Sequence, residues 1–168
     1  MLLGFLLVLG CSKNESSSSA TSGESPVPAT PLAKLDCANI LSPDLRARYF
    51  AETSISDKPQ SVDFVGECLL AAADGRRSGI ITVSCPRGRP IDNAESIRVL
   101  KQTTPNATDL ALGRGGVLAV DEAGTFVAVW DDDSACDVTM RLPLDVDAAA
   151  FTKDLLASLP PATRRAGP

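Results

Sequence analysis

The chain has 168 residues, of which 16 are basic and 21 are acidic, giving a net charge of −5, and 4% are aromatic. This balance, with no basic stripe and few aromatic side chains, argues against nucleic acid as a partner. The sequence contains no histidine. This removes the commonest general base and metal ligand, and it excludes Ser-His-Asp and Cys-His catalytic sites.

The first ten residues form an apolar run that ends at Gly10 and is followed by Cys11. Val8-Leu9-Gly10-Cys11 resembles the lipobox of bacterial lipoproteins, in which a small residue precedes the cysteine that becomes lipidated. The resemblance implies that residues 1–10 are a signal peptide. It also implies that Cys11 carries a diacylglyceryl group and an amide-linked acyl chain such as palmitate, and two or more chains give stable anchoring.

Residues 11–36 continue from the lipidated Cys11 into a segment rich in Ser and Pro. We expect a disordered tether, because so few apolar residues cannot offset the chain entropy that ordering would cost. The apolar run before Cys11 is too short for a transmembrane helix, which needs about 20 residues. A short buried segment of a cytosolic protein is the alternative interpretation. The predicted location is the cell envelope, lipid-anchored on the extracytoplasmic side of a bacterial membrane.

Residues 37–159 are long enough for a single domain with a proper core. The domain contains an even number of cysteines, which in an exported protein predicts two disulfides. They are Cys37, Cys68, Cys85 and Cys136. No CxxC spacing occurs, so zinc binding and thioredoxin-like redox chemistry fit poorly. The residues alone allow three pairings. Free catalytic thiols are the rival interpretation, although no histidine is present to activate them.

The first elements are predicted from a helix start and two apolar runs. Ser42-Pro43-Asp44 combines an N-cap, a first-turn proline and an acid, and this predicts a helix that ends near Ala51. Residues 53–61 are polar and are predicted to form a loop. Apolar runs over 61–73 and 79–85 flank a turn composition at 74–78, which predicts a β-hairpin.

The next helix is predicted from residue 93 to about 102, after an acidic variant of the capping box at Asp92. Its spacing predicts that Ala94, Ile97 and Leu100 are buried on one face. Pro105 stops it.

A meander of three antiparallel strands is predicted over 117–120, 125–130 and 136–142. In the last of these strands, Val138 and Met140 alternate with polar residues.

The final helix is predicted to be capped by Asp145 or Asp147. Its apolar residues recur at helical spacing and are Ala148, Phe151, Leu155 and Leu159. Residues 160–168 are predicted to be a disordered tail. The predicted class is α+β, an antiparallel sheet of about five strands covered by two or three helices, with two disulfides.

Several of these features together resemble a known family. They are Cys37 before a short capped helix, Cys68 near the first strand, a Gly-containing segment at 112–116 before a meander, Cys136 opening the final strand and a closing amphipathic helix. This layout resembles the small Cys-bridged envelope lipoproteins of actinobacteria, a family of unknown function, and more distantly the extracellular sensor domains of mycobacterial receptor kinases. The resemblance covers residues 37–159. It implies a sheet with helices packed on it and Cys37–Cys68 and Cys85–Cys136 bridges, and it carries no chemistry with it.

Four short segments are candidate sites, each with a plainer interpretation. Asp131-Asp132-Asp133 offers oxygens for Ca²⁺, but without the alternation of an EF-hand it is better interpreted as a solvated turn. The glycines at 113–116 precede a strand, which favours a turn over a phosphate cradle. Arg76-Arg77 is either an anion contact or a solubilising turn. Trp130 is a candidate for stacking on a sugar ring or for a partner interface, and half-buried packing is the alternative.

The sequence therefore predicts a membrane-anchored envelope lipoprotein with a non-catalytic domain that binds a protein, glycan or lipid, without a cofactor or metal. Trp130 and Asp131 are the candidate ligand-binding residues. The alternative is a carboxylate-dependent hydrolase or transferase acting on envelope polymers through Asp131 to Asp133. That activity would require a cleft with two carboxylates of perturbed pKa.

Overall fold

A single antiparallel sheet with helices on both sides makes up the part of the chain that the structure describes. This computed structural model describes residues 35–60, 65–74, 77–85 and 92–159. The lipobox, the tether up to residue 34 and the tail from residue 160 lie outside these ranges. The elements in chain order are α1 (Cys37–Ile40), α2 (Pro43–Tyr49), β1 (Ser54–Asp57), β2 (Val65–Ala71), β3 (Arg77–Ser84), α3 (Asn93–Thr103), β4 (Thr108–Leu110), β5 (Gly116–Asp121), β6 (Gly124–Trp130), β7 (Asp137–Leu142) and α4 (Ala148–Ser158).

The seven strands have the order β1-β2-β3-β7-β6-β5-β4, and every neighbouring pair is antiparallel. The last strand in the chain, β7, therefore lies at the centre, between β3 and β6. The α+β class, the antiparallel sheet and two disulfides are as predicted. The expectation of about five strands is too low, since β1 forms where a polar loop was predicted and β4 was not recognised.

All four described helices begin where a side chain caps their first turn, and Asp36 does so for α1. The Ser42 hydroxyl accepts from the backbone N–H of Leu45 at 3.3 Å before Pro43 opens α2. Asp92 and Asp147 cap α3 and α4 in the same way. Of the two predicted caps of the last helix, Asp147 is the one used. A side-chain acceptor here satisfies an N–H group that has no partner within the helix.

One face of the sheet, called here the core face, carries α1, α2 and α4. Alternate residues of β2, β3, β7 and β6 are buried on it, as period-2 strands require. They include Cys68, Ile81, Val83, Val127, Val129, Val138 and Met140. Phe151 of α4 meets Tyr49 and Phe50 edge-on, each with its ring centroid 5.1 Å away. The predicted inward residues of β7 and α4 are thus confirmed.

Helix α3 lies on the opposite side of the sheet, over β5 and β4. Lys101 binds Asp109 of β4 at 2.8 Å, and Asp109 pairs with Val117 on the side away from the core face. No residue of α3 is buried, and Ala94 is exposed. The predicted burial of its apolar stripe is therefore wrong. Because the helix packs on only one end of the sheet, Ile97 and Leu100 are half-buried rather than fully buried.

Two disulfides link strands of the sheet to neighbouring segments of the chain. Cys37–Cys68 joins α1 to β2, and Cys85–Cys136 joins the end of β3 to the residue before β7. These are the two pairs that the family resemblance implied. Each closes a long loop, with a sequence separation of 31 and 51 residues respectively. All four cysteines are buried in the core, and the second bridge lies at the end of the sheet where β3 ends and β7 begins.

Candidate functional site

The side of the sheet opposite the core face is open over β2, β3 and β7, whereas Ala128 of β6 is buried on this side. Thr139 lies on the central strand β7, yet its side chain is exposed. A residue at the middle of a sheet is exposed only if nothing packs above it. The open face is therefore uncovered at its centre in the described part of the chain, and α3 borders it on one side.

The strand register arranges the open face in three rows that run across β6, β7, β3 and β2. The first row is Trp130, Asp137, Ser84 and Val65; the second is Ala128, Thr139, Thr82 and Glu67; the third is Phe126, Arg141, Ile80 and Leu69. Neighbours in a row are about 4.8 Å apart, and successive rows are about 7 Å apart.

Polar side chains occupy the middle of the open face. We call the four groups Ser84, Thr82, Asp137 and Thr139 the hydroxyl lane, since three are hydroxyls and the fourth is a carboxyl. Larger apolar side chains lie on either side of the lane, on β6 and on β2. They are Trp130 and Phe126 on β6, and Val65 and Leu69 on β2, all half-buried.

Asp137 is the carboxylate of the hydroxyl lane. Burial raises its pKa, while a hydrogen bond from the Ser84 hydroxyl and the nearby Arg114 guanidinium act against this rise. The proton is consequently retained to a higher pH than on a solvated aspartate. A half-buried carboxyl next to a hydroxyl and an aromatic ring is a group that both accepts and, when protonated, donates hydrogen bonds.

The glycine segment places Arg114 beside this group. Gly113 and Gly115 have φ values of 56° and 108°, and the Arg114 N–H donates to the Trp130 carbonyl at 2.8 Å. The Arg114 side chain donates through Nε to the Asp131 carbonyl at 2.7 Å. The segment is thus the turn that the sequence favoured over a phosphate cradle. Its structural effect is to hold a guanidinium at the Trp130 end of the open face.

The three consecutive aspartates have two different environments. Asp132 and Asp133 are exposed, as a solvated turn predicts, but Asp131 is only 2% exposed. The Asp131 carboxylate accepts from the Asp132 N–H and from the Ser134 hydroxyl, and the Ser134 oxygen accepts from the Cys136 N–H. The prediction of a solvated turn is therefore wrong for Asp131, because the loop supplies the hydrogen bonds that water would otherwise make.

Carboxylate oxygens of these three aspartates lie within 4.8 Å of one another. Burial raises the pKa of Asp131, the Ser134 hydroxyl lowers it, and the neighbouring Asp133 raises it further. The buried carboxylate is already engaged in holding the β6–β7 loop. Its position in that network favours a structural role over the predicted ligand-binding role.

The remaining charged groups of the open face are paired. Arg141 binds Asp121 at 2.6 Å, and its guanidinium lowers the pKa of that carboxyl. Glu67 accepts from Lys58 at 2.6 Å and from Gln60 at 2.9 Å. The lane therefore presents Asp137 among groups whose charges are largely compensated.

Two shallow depressions lie away from the lane. One of about 260 Å³ lies between α2 and β1 and is lined by Arg46, Phe50 and Ile55. The other, of about 390 Å³, lies between α3 and β4 beside Ile97 and Lys101. The predicted contact residue Arg76 and the side chain of Arg77 lie outside the described residues.

Comparison with protein-family models, with curated proteins and with solved structures finds no match. Within the described ranges, no helix is both long and apolar enough to cross a membrane. The class that these observations define is a disulfide-bonded α+β domain with one covered and one open sheet face.

Proposed function

We propose that this protein is an envelope lipoprotein, anchored through Cys11 on the extracytoplasmic side of a bacterial membrane, whose domain binds a partner or ligand on the open face without catalysing a reaction. The observation that carries the proposal is the exposure of Thr139 at the centre of the sheet. An antiparallel sheet commonly buries one face in the core and leaves the other face solvated and polar. Here Trp130, Phe126 and Leu69 remain half-buried around the uncovered centre, as a docking surface requires.

The chain direction at the start of the domain supports this arrangement. A side chain on Gly66 of β2 would meet Leu35 and Ile40 on the core face, so Leu35 lies against that face. The preceding residues lead to Cys11. The proposed tether thus joins the domain on the side opposite the open face, which leaves the open face free to meet a partner.

Site-specific crosslinking in cells of the source organism tests the proposed face. A photoreactive amino acid replaces Thr139 in the full chain, and a matched chain carries it at Thr108, an exposed threonine on the edge strand β4. Because only Thr139 lies on the open face, we expect a discrete adduct from that position and none of the same size from Thr108. Equal labelling at both positions would contradict the proposal.

The anchor has its own test. Replacing Cys11 by Ala removes the thiol that would receive the diacylglyceryl group, so we expect loss of fatty-acid labelling and release of the protein from the membrane fraction. Cys11→Ser and the unmodified chain are the matched controls. Labelling that persists in Cys11→Ala would refute lipidation at this residue.

A second candidate is a hydrolase or transferase acting on envelope polymers through Asp137 rather than through the predicted Asp131 to Asp133, and the half-buried carboxyl of Asp137 beside Ser84, with its raised pKa, favours it. Incubating the full chain with purified envelope polysaccharide and measuring new reducing ends separates the two proposals. Turnover that disappears in Asp137→Asn would establish the enzyme and end the binding proposal. We expect no difference in reducing ends between the chain and a buffer control.

A further inference from the structure

We propose that the ligand of the open face is a neutral saccharide chain, which lies along the hydroxyl lane and stacks one ring on Trp130. This inference rests on the proposed binding function and names the chemistry of the ligand. It draws on the kinds of groups in the lane, the position of the indole and the pairing of charges around them.

The hydroxyl lane matches the hydrogen-bonding groups of a sugar. Thr82 and Thr139 each offer a hydroxyl that both donates and accepts, the Ser84 hydroxyl donates to Asp137 and can still accept, and Asp137 adds a carboxyl. Sugar hydroxyls also donate and accept, so either partner can rotate to satisfy the other. Because the strands fix the spacing, the lane presents these groups in two adjacent columns, on β3 and β7.

Trp130 supplies the apolar contact that such a ligand needs. It pairs with Asp137 across β6 and β7 and is half-buried at the end of the lane. The C–H groups on one face of a pyranose ring pack on an aromatic surface, while the ring hydroxyls point outward toward polar neighbours. An indole next to a carboxyl and a hydroxyl meets both requirements at one place.

The charges around the lane favour a neutral ligand. Among the described residues, Glu67 lies in the second row of the open face and Arg141 in the third, and each is held by an oppositely charged side chain. Arg114, which would attract an anion, already donates to a backbone carbonyl and lies near Asp137. A strongly charged polymer would have to displace these pairs, whereas a polyol would not.

The composition of the lane disfavours a protein or lipid partner. The centres of protein interfaces are depleted in serine and carboxylates and enriched in large aromatic residues and arginine. Here the centre is Thr82, Thr139 and Asp137, with the small Ala128 beside them. The polar centre of the lane also offers no apolar contact to an acyl chain, and neither depression described above lies on the lane.

The single tryptophan of the chain provides a direct test. The full-length protein in mild detergent is titrated with four neutral tetrasaccharides, made of β-1,4-glucose, β-1,4-galactose, α-1,6-mannose or β-1,4-N-acetylglucosamine. Stacking on the indole changes its emission, so we expect a saturable change with at least one of them. A sulfated heparin tetrasaccharide is the charged comparison and should bind at least tenfold more weakly.

Variants locate the binding site by calorimetry, which needs no tryptophan. Thr139→Arg fills the middle of the lane from an exposed position and should abolish binding, while Thr108→Arg should leave affinity unchanged. Trp130→Ala should weaken it at least tenfold and Asp137→Asn severalfold. Circular dichroism establishes whether each variant is folded. If Trp130→Ala is unfolded, the affinity of Thr139→Arg alone tests whether the saccharide binds on the lane.

Two results would overturn the saccharide inference: no saturable signal from any neutral probe, or binding that Thr139→Arg leaves intact. The crosslinking experiment separates this failure from failure of the proposed function. A protein adduct at Thr139 together with no saccharide binding would retain the open face as a binding site and reject only the saccharide. Equal labelling at Thr139 and Thr108 would reject both.

Discussion

The two faces of the sheet are built from the same strands but have different environments. On β7, Val138 and Met140 are buried against three helices, while Asp137, Thr139 and Arg141 alternate with them on the open face. The core face is closed by α1, α2 and α4. The open face keeps half-buried Trp130 and Phe126 beside polar groups. The outward half of this amphipathic strand is the surface on which the proposed binding site lies.

The largest expected difference between the faces comes from removing a phenylalanine from each. Phe151 is fully buried among aromatic rings, so Phe151→Ala should lower the free energy of unfolding by about 3–5 kcal/mol. Phe126 is half-buried, and Phe126→Ala should cost less than about 2 kcal/mol, because less area is withdrawn from water. Denaturant unfolding measures both, and equal losses would mean that the open face is a second core.

Removing one disulfide at a time tests which bridge the proposed binding site on the open face depends on. Cys37→Ala with Cys68→Ala, or Cys85→Ala with Cys136→Ala, should each cost about 2–4 kcal/mol, since both bridges close long loops. Only the second bridge joins the strands that carry Ser84 and Asp137. Probe binding by the folded fraction should thus fall after loss of Cys85–Cys136 and persist after loss of Cys37–Cys68. The reverse order would contradict the placement of the site.

Smaller effects are expected from a helix cap and from the lane itself. Asp147→Ala removes the acceptor for the Ala150 N–H and should cost about 1 kcal/mol. Thr139→Val on the open face should change stability by less than about 0.5 kcal/mol, because the hydroxyl is exposed. Thermal unfolding of both variants tests this, and a large loss in Thr139→Val would show that the hydroxyl is part of the packing.

A further small effect is a dependence of stability on pH. Because the pKa of Asp137 is raised in the folded protein, its stabilising contribution is complete below the unfolded pKa of about 3.9 and is lost as pH rises through the folded pKa. Asp137→Asn should therefore gain stability relative to the unmodified protein between pH 3 and pH 7. The gain should stay below about 1 kcal/mol, because the group is half-exposed.

Asp121 is the control for this pH dependence, because its pKa is lowered in the folded protein whereas that of Asp137 is raised. The guanidinium of Arg141 lowers its pKa, so its contribution is present above the unfolded pKa and is lost as pH falls through the folded one. Asp121→Asn should lose stability relative to the unmodified protein over the same rise in pH. Urea unfolding across this range distinguishes the two variants by the direction of their slopes.

Local signals made much of the fold predictable. The cap at Ser42 and the alternation in β7 depend on neighbouring residues, so the sequence was enough to recognise them, whereas for the last helix it left Asp145 and Asp147 as alternatives. Strand β1 was missed because three of its four residues are polar and its side chains are largely exposed, which leaves no apolar alternation to recognise. Asp57 of β1 accepts from the Cys37 N–H at 2.6 Å, a contact that no local pattern reveals.

Burial and the site were less predictable, because both depend on strand order. Helical spacing predicted which residues of α3 turn inward, but not that the helix reaches only one end of the sheet. Trp130 was singled out by its chemistry. Its neighbours Asp137 and Ser84 were not, since β7 must first be placed between β3 and β6 before these residues share a row.

The central position of β7 also has a consequence for the order in which the chain becomes structured. Until residues 137–142 are available, β1–β3 and β4–β6 are two half-sheets with no strand to join them. Helix α4, which covers the core, follows later still. Folding therefore depends on pairing between distant parts of the chain, which is slow. If the chain crosses a membrane N-terminus first, as the proposed export implies, it would stay unfolded until β7 and α4 have also crossed.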